Sequence, residues 1–541
     1  MPRSDDLLRI ARERFGIEAF RPGQEEMIRA VLDGRDGFAV MPTGYGKSAI
    51  YQIPAVVLPG PTVVISPLIA LQRDQALGLA GRDVGGAAVM NSSLGAEDRS
   101  DTFDELEGGR LEFIFLAPEQ LKRPDVMQHL HESRPSLWVV DEAHCISEWG
   151  HDFRPDYMNI GPAIEALGHP PVLALTATAA PQVREEIIAR LQMRDPKIIV
   201  RGFDRPNIRL SVQSFAKPEA KLAKLTAAVE QAASPGIVYV ATRRHAEEIA
   251  QHLGDRGLRA EAYHGGMANS ERNSVQHRFM NGESGIIVAT SAFGMGVDKP
   301  DIRFVFHYDA PDSPESYYQE IGRAGRDGDS AEAVLFYRAE DLALHKFFAG
   351  GGTVRADELE QVGEALRGSE QPLDVAILAE CSALSPNKLT RALHLLEDAG
   401  FVRREGPHAF AVADTGEGSL HAAVEAVDKA QRRRHQNTLL KIESMRGYAE
   451  VLGCRRQYLL GYFGEEIPPC GRCDNCERGL PKVQSREDRP FAVKTRVLHK
   501  QFGKGLVEAY EGNHIVVFFE ELGRKVLDLD LIARGKLLKV I

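Results

Sequence analysis

Over the first 350 positions, apolar residues gather in short continuous runs, separated by longer stretches in which they recur at helical spacing. The runs are Phe38–Val40, Val63–Ser66, Phe113–Ala117, Leu137–Val140 and Val172–Thr176, then Ile237–Ala241, Ile286–Ala289, Phe304–Tyr308 and Ala333–Tyr337. Runs of this length read as strands covered on both faces, and their alternation with helices predicts parallel sheets in α/β layers. They fall into two sets, which predicts two α/β domains, 1–208 and 209–350, with a ligand cleft between them.

The pattern changes at Gly350-Gly351-Gly352. In 353–415, helical segments at Leu373–Glu380 and Asn387–Ala399 are split by Ser385-Pro386. A strand pair within Phe401–Val412 then turns through Glu405-Gly406-Pro407, which predicts a winged helix-turn-helix. Residues 416–480 read as helical, and Pro481–Pro490 as a polar linker. In 491–541, strands are expected at Arg496–His499, Lys504–Glu508, His514–Glu520 and Lys525–Leu529, with glycines between them, which fits a small β-barrel. The expected class is therefore α/β: two tandem parallel-sheet domains, then a winged helix, a helical segment and a small barrel.

Composition changes little in this picture. With 541 residues, 43% of them apolar and 26% charged, the chain can support several cores. No apolar stretch approaches the ~18 residues of a membrane span, and the start, MPRSDDLLRI, lacks a signal-peptide core. A cytoplasmic protein is expected. The net charge of −11 runs against nucleic-acid binding on average, but binding depends on local patches. Residues 431–461 carry seven Lys/Arg against two Glu, a pattern shared by a DNA-binding patch and a solvated helix face.

Candidate chemistry lies at the ends of the expected strands. Met41–Ser48, MPTGYGKS, follows the first run and precedes a helix. A glycine-rich turn there aims N–H groups of Thr43, Gly44 and Gly46 at phosphates, Lys47 reaches the β/γ-phosphates, and Ser48 can ligate magnesium. Position 41, glycine in the full motif, is Met here. Asp141 and Glu142 end another run, where one carboxylate can hold magnesium and the other can orient water. Beyond them, Trp149, Phe153 and Tyr157 alternate with His151 and Arg154, a mixture suited to stacking on bases and pairing with phosphates. Upstream, Gln24 in Phe20–Gln24, FRPGQ, offers the donors and acceptor that match an adenine edge. Arg323 and Arg326 in QEIGRAGRDG are three apart; either can act as an arginine finger across the cleft, or both can be surface ion-pair residues. Cys454, Cys470, Cys473 and Cys476 give C-x15-C-x2-C-x2-C, whose thiolates suit tetrahedral zinc, a redox C-x2-C pair being the alternative.

Eight blocks in order carry a family resemblance: FRPGQ, MPTGYGKS, SPLIALQRDQ, DEAHCISEWGHDFRPDY, LTATA, YVATRR, TSAFGMGVDKPDIRFVFHYD and SYYQEIGRAGRDG. With CRRQYLLGYFGE and CGRCDNC they resemble the RecQ family of superfamily 2 DNA helicases. The resemblance implies two RecA-like domains, and ATP, Mg2+ and Zn2+ as cofactors. It implies adenine recognition by Gln24, and phosphate and magnesium binding by Lys47 and Ser48. Asp141 would ligate magnesium through water, Glu142 would orient the attacking water, and Arg323 and Arg326 would act from the second domain, with Arg326 the finger. His144 would link the ATP site to DNA, which Trp149, Phe153 and Arg154 would sense. A 3′-to-5′ DNA helicase acting on single-stranded and tailed or branched duplex DNA in repair or recombination is the implied activity, with a nucleoid-associated location. An RNA or RNA–DNA hybrid helicase, or an accessory protein whose ATPase is a switch, would share many of these residues.

Two features depart from the family. The winged-helix candidate precedes the cysteines instead of following them. The tail resembles the Tudor-like barrel that ends UvrD-type helicases, a surface for DNA or for a protein such as RNA polymerase. No membrane partner is expected.

Overall fold

The computed structural model describes residues 4–540 apart from 43, 68, 83, 92–94, 148–152, 295–298, 352, 370, 383, 407, 414–418, 480–489, 492–494, 512–513, 520–522 and 536. Two compact units emerge: one comprises 1–341 and 444–541, the other 342–443.

The first unit holds two parallel sheets. In the first sheet, β1 (Gly37–Val40), β2 (Thr62–Ile65), β3 (Gly86–Met90), β4 (Leu111–Leu116), β5 (Leu137–Val140), β6 (Val172–Thr176) and β7 (Lys197–Val200) lie in the order β3-β4-β2-β5-β6-β1-β7. Every residue of β1, β2, β5 and β6 is buried, as expected for strands with helices on both faces. The second sheet contains β8 (Ile208–Ser214), β9 (Gly236–Tyr239), β10 (Ala260–Tyr263), β11 (Ile286–Ala289), β12 (Phe304–His307) and β13 (Ala331–Tyr337), ordered β10-β11-β9-β12-β13-β8. Flanking helices bury one stripe each. In Arg243–Gly254 the stripe is Ala246, Ile249, Ala250 and Leu253, and Thr242 caps the helix by accepting from the His245 N–H at 3.1 Å. These are two tandem RecA-like α/β domains.

The same unit includes the helices Arg455–Tyr462 and Asp474–Glu477 and a C-terminal antiparallel sheet. The order in that sheet is β20-β19-β18-β17-β21, with β17 Arg496–His499, β18 Gly503–Glu511, β19 His514–Phe519, β20 Gly523–Asp528 and β21 Leu538–Val540. It closes as a half-barrel over Val497, Val507, Ile515, Val517 and Phe519. The second unit packs the helices Ala356–Arg367, Val375–Cys381 and Pro386–Asp398 against a small sheet, β14 (Leu373–Asp374), β15 (Val402–Arg404) and β16 (Ala409–Val412), in the order β14-β16-β15. Residues 420–443 of the helix Leu420–Glu450 belong to this unit. Among the described residues, no helix is long and apolar enough to cross a membrane.

Candidate nucleotide site and metal centre

Parallel strands put their carboxyl ends along one edge, and the first domain assembles its polar residues there. Just beyond β1, Gly44 and Gly46 take the left-handed conformation, with φ of 77° and 80°. A side chain at Gly46 would be strained by this φ, and its Cβ would lie 2.8 Å from Gln24 Nε2. Lys47 and Ser48 open the helix Lys47–Ala55. Lys47 Nζ donates to the Met41 carbonyl at 3.0 Å and to the Pro42 carbonyl at 3.4 Å. Thr43 lies outside the described residues.

Gln24 is buried and its amide is hydrogen-bonded at both ends, to this loop and to Arg21. Nε2 donates to Tyr45 O and Gly46 O, both at 3.0 Å, while Oε1 accepts from the Arg21 N–H at 2.8 Å. The side chain chosen in the sequence for its match to adenine therefore braces the phosphate loop here.

Asp141 and Glu142 follow β5. Glu142 sits at φ 47°, and its N–H donates to Asp141 Oδ1 at 2.9 Å. Burial, then the adjacent Glu142 charge, push the Asp141 carboxyl up to about 6; the Lys47 ammonium pulls the other way, as does a hydrogen bond from Gln75. A divalent cation at this carboxylate would oppose both raising effects, so the residues fit such an ion. Gln75, in SPLIALQRDQ, was not singled out in the sequence, nor was Tyr157 as a brace, whose hydroxyl donates to Asp141 O at 3.1 Å. The buried His144 bridges two strand ends: Nδ1 lies 2.9 Å from Thr176 Oγ1 and 3.3 Å from Glu142 Oε2. Arg154 Nη1 donates to Pro67 O at 2.8 Å, tying the aromatic segment to SPLIALQRDQ. Phe153 is half-buried, and Trp149 lies outside the described residues.

In the second domain, Arg323 is buried after the helix Pro314–Ile321, and Arg326 is half-buried in the same loop. This loop meets the first domain. A small cavity is lined by Pro42, Ala177 and Thr178 from one side and by Tyr318, Gln319 and Gly322 from the other, with Arg205 also in its wall.

The four cysteines converge. Their sulfurs lie within 4.8 Å of one another, with Cys454–Cys473 and Cys470–Cys476 each at 4.0 Å. A tetrahedral zinc with Zn–S bonds of about 2.3 Å sets S···S near about 3.8 Å. A disulfide would need about 2.05 Å, so the geometry favours metal over the redox alternative. Backbone N–H groups of Gln457 and Cys470 point at Cys454 Sγ, at 3.4 and 3.3 Å, as suits a thiolate. Arg455, beside this centre, donates to Asp474 Oδ1 at 2.6 Å, and Asp474 Oδ2 accepts from the Val212 N–H of β8 at 3.1 Å. Arg455 and Arg456 are each 5% exposed, so two of the seven basic residues are buried instead of lying on a surface: Arg455 braces the cysteine segment internally and Arg456 ties it to Asp204 and Ile208.

Comparison with known proteins matches this arrangement in three places. Residues 21–187 match the DEAD/DEAH box helicase family, 220–328 the helicase conserved C-terminal domain, and 418–477 the RecQ zinc-binding family. The chain is 37% identical to the probable ATP-dependent DNA helicase RecS of Bacillus subtilis, over 90% of this chain and 96% of that one. It is 35% identical to the ATP-dependent DNA helicase RecQ of Pasteurella multocida over 88% of this chain, and 41% identical to that of Haemophilus influenzae over 66%. Of those two relatives' own lengths it spans 63% and 58%. Among solved structures, DUF1998 helicase MrfA bound to DNA shares the fold, with a TM-score of 0.53 at 17% identity over 79% of this chain and 64% of that one. Use of ATP follows from the first two family matches, and zinc from the third together with the four-cysteine cluster. A RecS of nearly the same length, and RecQ relatives matching across both α/β domains, leave one assignment: the chain belongs to the RecQ family of ATP-dependent DNA helicases.

Proposed function

We propose that this chain is a 3′-to-5′ DNA helicase that couples Mg-ATP hydrolysis to movement along single-stranded DNA, acting on tailed or branched duplexes in repair or recombination. The observation that carries the reading is the shared cavity in which Pro42 and Thr178 of one α/β domain meet Gln319 and Gly322 of the other. Residues on both walls of one cleft allow nucleotide to change the relation of the two domains, the element a translocating motor needs.

In this reading Lys47 exchanges the Met41 and Pro42 carbonyls for the β/γ-phosphates, and the N–H groups of Thr43, Gly44 and Gly46 cradle them. Gln24 turns its amide from the loop carbonyls to adenine. Magnesium, held by Ser48 and through water by Asp141, would neutralise phosphate charge. Glu142 orients the attacking water, and Arg323 and Arg326 stabilise charge on the transferring phosphoryl, Arg326 as the finger. His144, bonded to both Glu142 and Thr176, carries the DNA state to the water-orienting carboxylate. Trp149, Phe153 and Arg154 sense single-stranded DNA. Cys454, Cys470, Cys473 and Cys476 hold structural zinc, since protein fills all four positions.

Domain limits of 1–208, 209–350, 353–415, 416–480 and 491–541 accompany this reading, the last serving DNA or a protein partner such as RNA polymerase. A cytoplasmic, nucleoid-associated location goes with it.

Unwinding of 3′-tailed, 5′-tailed, RNA and hybrid duplexes tests the activity. Unwinding only of the 3′-tailed DNA is expected. DNA-stimulated ATPase without any unwinding would favour a switch protein, and preference for RNA would overturn the DNA reading. Trp149→Ala with Phe153→Ala should leave nucleotide affinity within about twofold. Loss of two stacking side chains, each about 1–3 kcal/mol per base, should lower DNA-stimulated hydrolysis at least ~10-fold at limiting DNA. Stimulation of wild-type size in that double variant would assign the segment to packing.

A further inference from the structure

The segment Phe203–Ile208, FDRPNI, joins the two α/β domains and runs between the arginine loop and the cysteine module, and it is gripped alternately by each. Arg205 Nη1 donates to Gly322 O at 3.1 Å, and Nη2 donates to Ala324 O and Gly325 O at 2.8 and 2.9 Å. Asn207 Nδ2 donates to Gly325 O and Asp329 O, both at 2.8 Å. The residues between them face the other way. Asp204 and the Ile208 carbonyl accept from Arg456, and the Pro206 carbonyl accepts from Arg472 at 3.0 Å. Phe203 stacks on Phe463, with ring centroids 4.8 Å apart and planes at 8°, and its carbonyl accepts from the Tyr318 hydroxyl at 2.8 Å. A turn at Pro206-Asn207, closed by the Ile208 N–H donating to Arg205 O at 3.0 Å, presents the Arg205 and Asn207 side chains to the loop while the Pro206 and Ile208 carbonyls meet the cysteine module.

We propose that Arg205 is a positioning residue for ATP hydrolysis: it fixes the loop that carries Arg323 and Arg326, and the zinc-binding module braces it from behind. This rests on the reading that those two arginines act on the transferring phosphoryl. The acceptors of Arg205 are three peptide carbonyls of one loop and not a carboxylate, so its bonds set loop geometry without neutralising its charge. Gly325, at φ 54°, lets the loop fold tightly around this grip: a Cβ would lie 2.5 Å from Asn207 Nδ2 and 2.6 Å from Asp329 O. Burial lowers the Arg205 pKa, and the like charge of Arg326 acts in the same direction. Arg205 also lines the cavity shared with Pro42 and Thr178, so a shift of the loop is felt at the phosphate side of the cleft.

The test compares Arg205→Gln, Arg205→Lys and Arg326→Ala, separately and as the Arg205→Gln/Arg326→Ala double variant, in the full chain. Zinc content and fluorescent ATP-analogue binding serve as controls for folding. Misplacement of a reacting group by about 1 Å costs about 10²-fold in rate, so Arg205→Gln should lower DNA-stimulated kcat by about that factor, with KM for ATP within about twofold. Arg205→Lys, which restores charge but not the planar fork, should recover only part of the loss. In the double variant, the two losses should combine to clearly less than their product, because Arg205 acts through the loop that carries Arg326 and, with it, Arg323. A fully multiplicative loss would overturn the proposal, as would wild-type kcat or a change confined to KM in Arg205→Gln. If Arg205→Gln does not fold, Asn207→Ala must show the same kcat loss on a smaller scale, and wild-type kcat there counts against the proposal. If Arg326→Ala and Arg323→Ala both retain full kcat, the arginine-finger reading fails first; if either loses kcat and Arg205→Gln does not, only the inference fails.

Discussion

Lys47→Ala is expected to lower kcat for ATP hydrolysis by at least ~10³-fold, with or without DNA, and to abolish unwinding. Removing one preorganised donor to a developing charge costs about 10²–10³-fold, and Lys47 brings a full charge to two phosphates. The fold should hardly notice. Lys47 is half-buried at the first position of its helix, where Ala is well tolerated, and what it gives up are bonds to the Met41 and Pro42 carbonyls. Two such bonds are worth roughly 1 kcal/mol each, so Tm should fall by no more than about 4 °C for a chain of this size. Steady-state phosphate release and thermal unfolding on the same preparation decide the matter. Turnover above a tenth of wild type, with Tm unchanged, would remove Lys47 from the chemistry. Glu142→Gln is the companion case, keeping shape and the contact with His144 while removing the charge that orients water. It should retain nucleotide binding where Lys47→Ala weakens it, so the pair separates binding from hydrolysis.

The parts of the fold that the amino-acid pattern revealed, and the parts it hid, divide along a physical line. All nine interior strands of the two parallel sheets contain apolar runs, because a strand with neighbours on both sides and helices on both faces has few polar positions, such as Glu112 and Glu332 near the starts of β4 and β13. The four strands without a run, β3, β7, β8 and β10, are the four sheet edges. Their residues are partly exposed, as in Ala260–Tyr263, where only Tyr263 is buried, so the run dissolves into ordinary composition. The site divides in a similar way. Contiguous blocks showed the phosphate loop, the Asp141-Glu142 pair and Cys470, Cys473 and Cys476, since each must place several groups within a few residues; Cys454 joins the last across 15 intervening residues. Gln75, Arg205 and Asn207 act through contacts distant in sequence, and no local spacing marks them. Arg455 and Arg456 were misleading for the converse reason: charge density along the chain does not say which charges meet a buried acceptor such as Asp474.

Cys473→Ser should reduce zinc from one ion per chain to almost none and release the segment 444–479 from the second α/β domain. Cys473 is 1% exposed, and its sulfur is 4.0 Å from Cys454 Sγ, so a serine hydroxyl replaces a thiolate at the closed side of the cluster. Structural zinc contributes about 10–16 kcal/mol to the folding of small zinc modules at neutral pH, well beyond what the two short helices here can supply by packing. The helix Asp474–Glu477 begins at the very next residue, and its Asp474 joins Arg455 to the Val212 N–H of β8. Losing the metal therefore also leaves a buried guanidinium and a buried carboxylate without fixed partners, a further cost of several kcal/mol. Atomic absorption and limited proteolysis read the two consequences separately. New cleavage between Arg455 and Arg478, with both α/β domains still protected, is the expected pattern. Normal zinc content in the variant would exclude Cys473 as a ligand. Zinc loss without new cleavage would mean that Arg456 on Asp204 and Phe463 on Phe203 suffice to hold the module. In that case hydrolysis should persist, because the brace behind Arg205 would still be in place.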